Sequence, residues 1–168
     1  MLIQNKIGNL AKYNATGKTI DWLSIEWHEA RKRILRKTTQ SGKEVSIKFL
    51  NENPELTEGD ILVADDKTVI AVSIQSCDCV IIHPKNMFEM ASVCYEIGNK
   101  HLPLFYEADQ LLVPFEIPLF NLLHVQGYDV KKERRKLLHQ LKTTVSPHNI
   151  GISESVFSKI NKLTSPAT

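Results

Sequence analysis

Hydrophobic and polar positions change rhythm about halfway along the chain. Up to residue 75 the apolar residues come in short runs, rich in branched and aromatic side chains, separated by polar turn signals. Residues 20–27 alternate in part, and residues 34–38 and 44–49 flank Gln40-Ser41-Gly42-Lys43, which predicts a hairpin. Residues 61–64 and 68–74 flank Asp65-Asp66-Lys67, a second hairpin signal. Several short strands with turns between them predict a small antiparallel sandwich or barrel.

Past Ser76 the pattern changes. Residues 79–83 read as a strand. Met87, Met90, Ala91, Cys94 and Ile97 then recur at i, i+3, i+4, i+7 and i+10, one face of an α-helix. Asn86 is placed to cap it, with Glu89 where a capping-box acid belongs. Gly98, lacking a Cβ, is the expected left-handed residue that ends it. Residues 101–108 and 111–115 form a predicted hairpin around Asp109-Gln110. A second helix is expected over 118–126, with Pro118 in its first turn and Gly127 past its end, then a strand at 128–130. That order, βαββαβ, is ferredoxin-like. The fold class is therefore α+β: a β domain over 1–75, a ferredoxin-like domain over 76–148, and a flexible tail over 149–168.

Composition adds mainly exclusions. Of 168 residues, 42% are hydrophobic and 24% charged, the balance of a soluble globular protein. The chain turns polar at Gln4, before any signal-peptide core develops, and the apolar stretch 111–125 is too short and too broken by proline to span a bilayer. A cytoplasmic protein with no membrane partner is the expectation. Three cysteines cannot form a fully paired disulfide framework. The net charge of +2 does not by itself imply a nucleic-acid partner, although basic residues cluster at 31–37 and 131–136.

His101 is expected just past a helix C-terminus, where the macrodipole favours a cation. Read as a strand, residues 101–106 put His101, Pro103 and Phe105 on one face, open to another subunit, and Leu102, Leu104 and Tyr106 on a core face. Cys77 and Cys79, at i and i+2, point the same way and could hold a soft ion, but form an incomplete site. Cys94 belongs to the helix stripe, and His139, set among leucines, is expected on a helix face. No phosphate loop, nucleophile elbow or H-E-x-x-H helix is present, so the chain does not read as an enzyme.

One stretch also carries a resemblance. Glu96-Ile97-Gly98-Asn99-Lys100-His101 resembles the Gly-Asn-Arg/Lys-His signature of the UreE family of urease accessory proteins, which are nickel metallochaperones. Met87-Phe88-Glu89-Met90, Asp21-Trp22-Leu23 with Glu26-Trp27, Arg33 to Arg36, and Gly59-Asp60-Ile61-Leu62 are similar to that family too, in its order across residues 1–148. The resemblance implies a peptide-binding-type β domain followed by a ferredoxin-like metal-binding domain. It implies a homodimer carrying Ni2+, with Zn2+ or Cu2+ as further ions, held by His101 and its symmetry mate. His148, in Val145-Ser146-Pro147-His148, looks like the late histidine of tail-poor relatives that completes the site. The implied partners are a urease-maturation GTPase and the apo-urease assembly complex. An RNA-binding ferredoxin-like module and a zinc-binding structural protein are the alternatives. The first lacks the aromatic RNP pattern, the second a closed set of four ligands.

Overall fold

The computed structural model describes residues 1–50 and 55–142; His148 and the 149–168 tail lie outside the described residues. The first seven strands are β1 (Leu2–Ile3), β2 (Gly8–Asn9), β3 (Thr19–Ile25), β4 (Ile34–Thr38), β5 (Glu44–Lys48), β6 (Asp60–Ala64) and β7 (Thr68–Ile74). They form two sheets, ordered β1-β5-β4 and β2-β6-β7-β3.

Both predicted hairpins are present. The β6–β7 turn is fastened by the Asp65 carboxylate, which accepts from the amides of Lys67 at 2.8 Å and Thr68 at 2.7 Å. Gly42 supplies the left-handed residue of the β4–β5 turn, at φ 89°.

The sequence predicts antiparallel pairing throughout this half, and the sheets are instead mixed. β1 runs parallel to β5, and β3 runs parallel to β7. Parallel partners must be joined by long connections, so no local turn signal announces them. Alternation in β3 turns Leu23 and Ile25 inward, and they pack with Leu35, Val45 and Ile47 of the other sheet and Val72 of β7.

The second half runs β8 (Ser76–Ile82), α1 (Met87–Asn99), β9 (Phe105–Glu107), β10 (Gln110–Pro114), α2 (Ile117–Val125) and β11 (Val130–Lys136). Its sheet is ordered β11-β8-β10-β9 with every pair antiparallel. Counted within this half, that is fourth, first, third, second, the ferredoxin-like arrangement. Both helices pack on one sheet face, where Val80, Ile82 and Val113 meet Val93, Ile97, Leu119 and Leu123.

The opposite face is covered as well. Cys79, Ile81, Phe105, Leu112 and Leu137 form a separate cluster against which Trp27 packs. Burial on both faces explains why 79–82 reads as an unbroken apolar run. Trp27 and Phe105 meet edge to face with ring centroids 5.6 Å apart. Beside them, Lys136 Nζ lies 2.8 Å from the Glu58 carboxylate and Lys142 Nζ lies 2.7 Å from Glu55. The seam between the two halves thus combines an apolar contact with ion pairs.

β11 is longer than the predicted strand, because the basic run belongs to it. Its charges are paired along the sheet: Lys132 with Asp78 at 2.8 Å, and Arg135 with Glu107 and Glu133. Among the described residues no helix is long and apolar enough to cross a membrane.

Candidate metal-binding site

Asn86 caps α1, its side-chain oxygen accepting from the Glu89 amide at 2.9 Å. The Glu89 carboxylate reaches back to the amide of Lys85, one residue before the cap, also at 2.9 Å. The buried face comprises Val93 and Ile97, with Met90 and Cys94 packed against the core. Met87 and Ala91, expected on that face, are exposed, since the face centres on Val93.

The helix does not end at Gly98. It runs to Asn99, Lys100 is the cap, and the left-handed residue is His101 itself, at φ 54°. The His101 amide donates to the Gly98 carbonyl at 3.0 Å and the Leu102 amide to the Ile97 carbonyl at 3.3 Å. This pair of bonds is a Schellman closure, with Leu102 and Ile97 in the same apolar cluster. An L-residue in this conformation costs about 1–2 kcal/mol, which glycine avoids. The side chain is exposed, and it has no hydrogen bond or ion pair among the described residues.

His101 is therefore not a strand residue, as the alternation argument has it. The closure occupies the chain up to Leu102, Pro103 has no amide to donate, and β9 starts only at Phe105. Phe105 is buried against Trp27, while Tyr106 is exposed, the reverse of the predicted faces. Exposed apolar surface in this half lies along α1 instead. Phe88 is 79% and Tyr95 70% exposed, and with Ala91 they recur at i, i+3 and i+7 on the outer side of α1. This second stripe is interleaved in the sequence with the buried one, so that the buried pattern masks it.

His139 lies on no helix. Residues 139–141 run beside β9, where the His139 carbonyl accepts from the Tyr106 amide at 3.0 Å and Gln140 bridges to Phe105. Leu137 is drawn into the seam cluster, which holds this segment extended. Cys77 and Cys79 do share one side, their Sγ atoms 3.7 Å apart. Burial, together with the neighbouring Cys77 thiol, pushes the Cys79 thiol up to about 12. Burial also raises the Cys94 thiol.

Other histidines have other neighbours. His28 pairs with Glu26 at 3.1 Å, His83 approaches Asp129 at 4.0 Å, and His124 stacks on Phe120. Among the described residues no three His, Cys, Asp or Glu side chains converge to hold a metal ion. A cleft of about 290 Å³ at the seam is lined by Trp27, Glu58, Phe105 and His139 among others, and His101 does not line it.

Comparison with known proteins agrees with this architecture along nearly the whole chain. Residues 3–75 match the family model described as UreE urease accessory protein, N-terminal domain. Residues 77–146 match the model for the C-terminal domain of the same family. Among curated proteins, the urease accessory protein UreE of Flavobacterium johnsoniae is 44% identical over 160 residues, covering 95% of this chain and 97% of that protein. The protein of the same name in Acetivibrio thermocellus is 39% identical over 138 residues, 82% of this chain and 89% of its own. That of Helicobacter pylori is 38% identical over 154 residues, 89% and 90% respectively.

Proposed function

Since this chain belongs to the UreE family of urease accessory proteins and so serves urease maturation, we propose that it is the nickel carrier of that process. In this reading it is a cytoplasmic homodimer that holds one Ni2+ between two copies of His101. The observation that carries it is the left-handed, solvent-facing His101 at the end of a helix that exposes Phe88 and Tyr95.

One imidazole is a weak site. Two copies related by a two-fold axis present two, and an isologous contact through the Phe88–Ala91–Tyr95 stripe, with the two copies of α1 running side by side in the same direction, would bring the two helix ends together. Burial of two aromatic side chains per subunit supports such a contact at about 25 cal/mol per Å² of apolar surface removed from water. Imidazole nitrogen suits nickel, and also Zn2+ or Cu2+. A site with so few protein ligands leaves coordination positions open. The ion can therefore be passed on by ligand exchange, which a closed four-ligand structural site resists. His148 is proposed as a further ligand from the C-terminal segment.

The domain over 76–148 thus carries metal and dimerises, and the β domain over 1–75 offers the docking surface. The proposed partners are a urease-maturation GTPase and the apo-urease assembly. Work of this kind is binding and transfer, with no bond chemistry. The RNA alternative gains little from the basic run at 131–136, because Lys132, Arg135 and Lys136 are held in ion pairs within the chain.

Calorimetry of His101→Ala tests the proposal. The tightest nickel site should disappear while circular dichroism and the dimer persist. Unchanged nickel affinity in that variant would overturn it.

A further inference from the structure

Strand β8 holds a second pair of metal-ligating side chains that the nickel reading leaves unused. Cys77 and Cys79 project from the sheet face opposite α1, into the cluster of Ile81, Phe105, Leu112 and Leu137. Their sulfurs are 3.7 Å apart. Cys79 is fully buried, whereas Cys77 is only partly covered and packs against the cluster from its margin. Cys77 is therefore the more accessible of the two, with the Cys79 sulfur within 3.7 Å of its own.

The neighbours of the pair restrict what it could bind. The Cys79 thiol contacts the carbonyls of Cys77 at 3.3 Å and Arg135 at 3.8 Å. Asp78, between the cysteines, points to the other face and pairs with Lys132 at 2.8 Å. Glu133 stands opposite Cys79 in the ladder, and its carboxylate is engaged by the Arg135 guanidinium at 3.1 Å. No third His, Cys, Asp or Glu completes a cluster among the described residues. Zinc in a structural site takes four ligands, and calcium or magnesium takes oxygens. Soft thiolates with only two members available select a cuprous ion, for which two-fold coordination is sufficient.

We propose that Cys77 and Cys79 bind one cuprous ion per chain as a two-coordinate bis-thiolate, independently of the nickel site. Both thiols release a proton to solvent, two sulfur–copper bonds form, and no oxidation state changes. The product carries one negative charge, and Arg135, directly across the ladder from Cys77, already pairs with Glu107 and Glu133, so that charge is left to the solvent-facing side of the site. Entry begins at the accessible Cys77 and ends with ligation by Cys79. Such a site would hold cuprous copper on the side of the sheet away from His101.

The test uses the reduced full-length protein under anaerobic conditions, titrated with cuprous ion against a chromogenic cuprous chelator. Wild type, His101→Ala and Cys94→Ser should each bind one ion per chain with equal affinity. Cys77→Ser should weaken binding by more than the roughly 100-fold that loss of an outer-shell partner costs. Its unchanged nickel affinity and circular dichroism would show that it is folded. X-ray absorption of the copper-loaded wild type, which needs no variant, should give two sulfur neighbours and no nitrogen. Wild-type copper affinity in Cys77→Ser, loss of copper in His101→Ala, nitrogen ligation in the spectrum, or uptake of Zn2+ alone by the cysteine pair would each overturn the proposal.

Discussion

The amide of Leu102 donates to the carbonyl of Ile97 at 3.3 Å, closing a ring of backbone around His101. The bond lets Leu102 return to the core, and it leaves His101 at φ 54° with its imidazole outside. Glycine is the residue this backbone favours. His101→Gly should therefore raise the stability of the metal-free protein by about 1 kcal/mol while abolishing tight nickel binding. His101→Ala should lose nickel without that gain. Urea unfolding at fixed protein concentration, paired with calorimetry, separates the two effects. A glycine variant no more stable than the alanine one would show that the left-handed turn carries no strain.

The exposed stripe on α1 gives a second test. Tyr95→Glu places two carboxylates near each other across the proposed two-fold contact, where like charges repel. It should yield monomers in analytical ultracentrifugation and reduce nickel affinity at least about tenfold, equivalent to about 1.4 kcal/mol, although His101 is untouched. A dimer that survives this substitution would place the interface elsewhere.

Asp21 predicts a pH dependence of stability. Burial alone would raise its carboxyl. Hydrogen bonds from the Ser41 side chain at 2.5 Å, the Ser41 amide at 2.9 Å and the Thr39 hydroxyl at 2.8 Å outweigh that and hold it below the usual carboxylate range. A value lower in the folded than in the unfolded chain stabilises the fold above the ordinary carboxylate value of about 3.9. That contribution fades as pH falls through the folded value. Asp21→Asn should cost about 1–3 kcal/mol at neutral pH. The gap to wild type should narrow in urea titrations carried below about pH 4. A constant gap would detach the effect from the charge.

Much of this was legible in the sequence, and the failures have physical reasons. Turn chemistry located both early hairpins, since Asp65 and Gly42 act within a few residues of themselves. Periodicity located α1, Pro118 and Gly127 bracketed α2, and through them the ferredoxin-like order was legible. Pairing between distant strands left no local mark, so the parallel β1–β5 and β3–β7 contacts were hidden. Phe105 was assigned to an open face because alternation was counted from His101, four residues before the strand begins. The buried partner it actually meets, Trp27, lies in the other half of the chain. At the helix end glycine propensity favoured Gly98, and the tertiary anchoring of Ile97 and Leu102 moved the left-handed position to His101.

Native mass spectrometry of the nickel-loaded protein tests the central claim most directly, because it counts ions and chains in one particle. The account predicts a dimer carrying one tightly held nickel, and a nickel-free dimer for His101→Ala. Monomers each retaining their own nickel ion, or a His101→Ala dimer that keeps the ion, would contradict it.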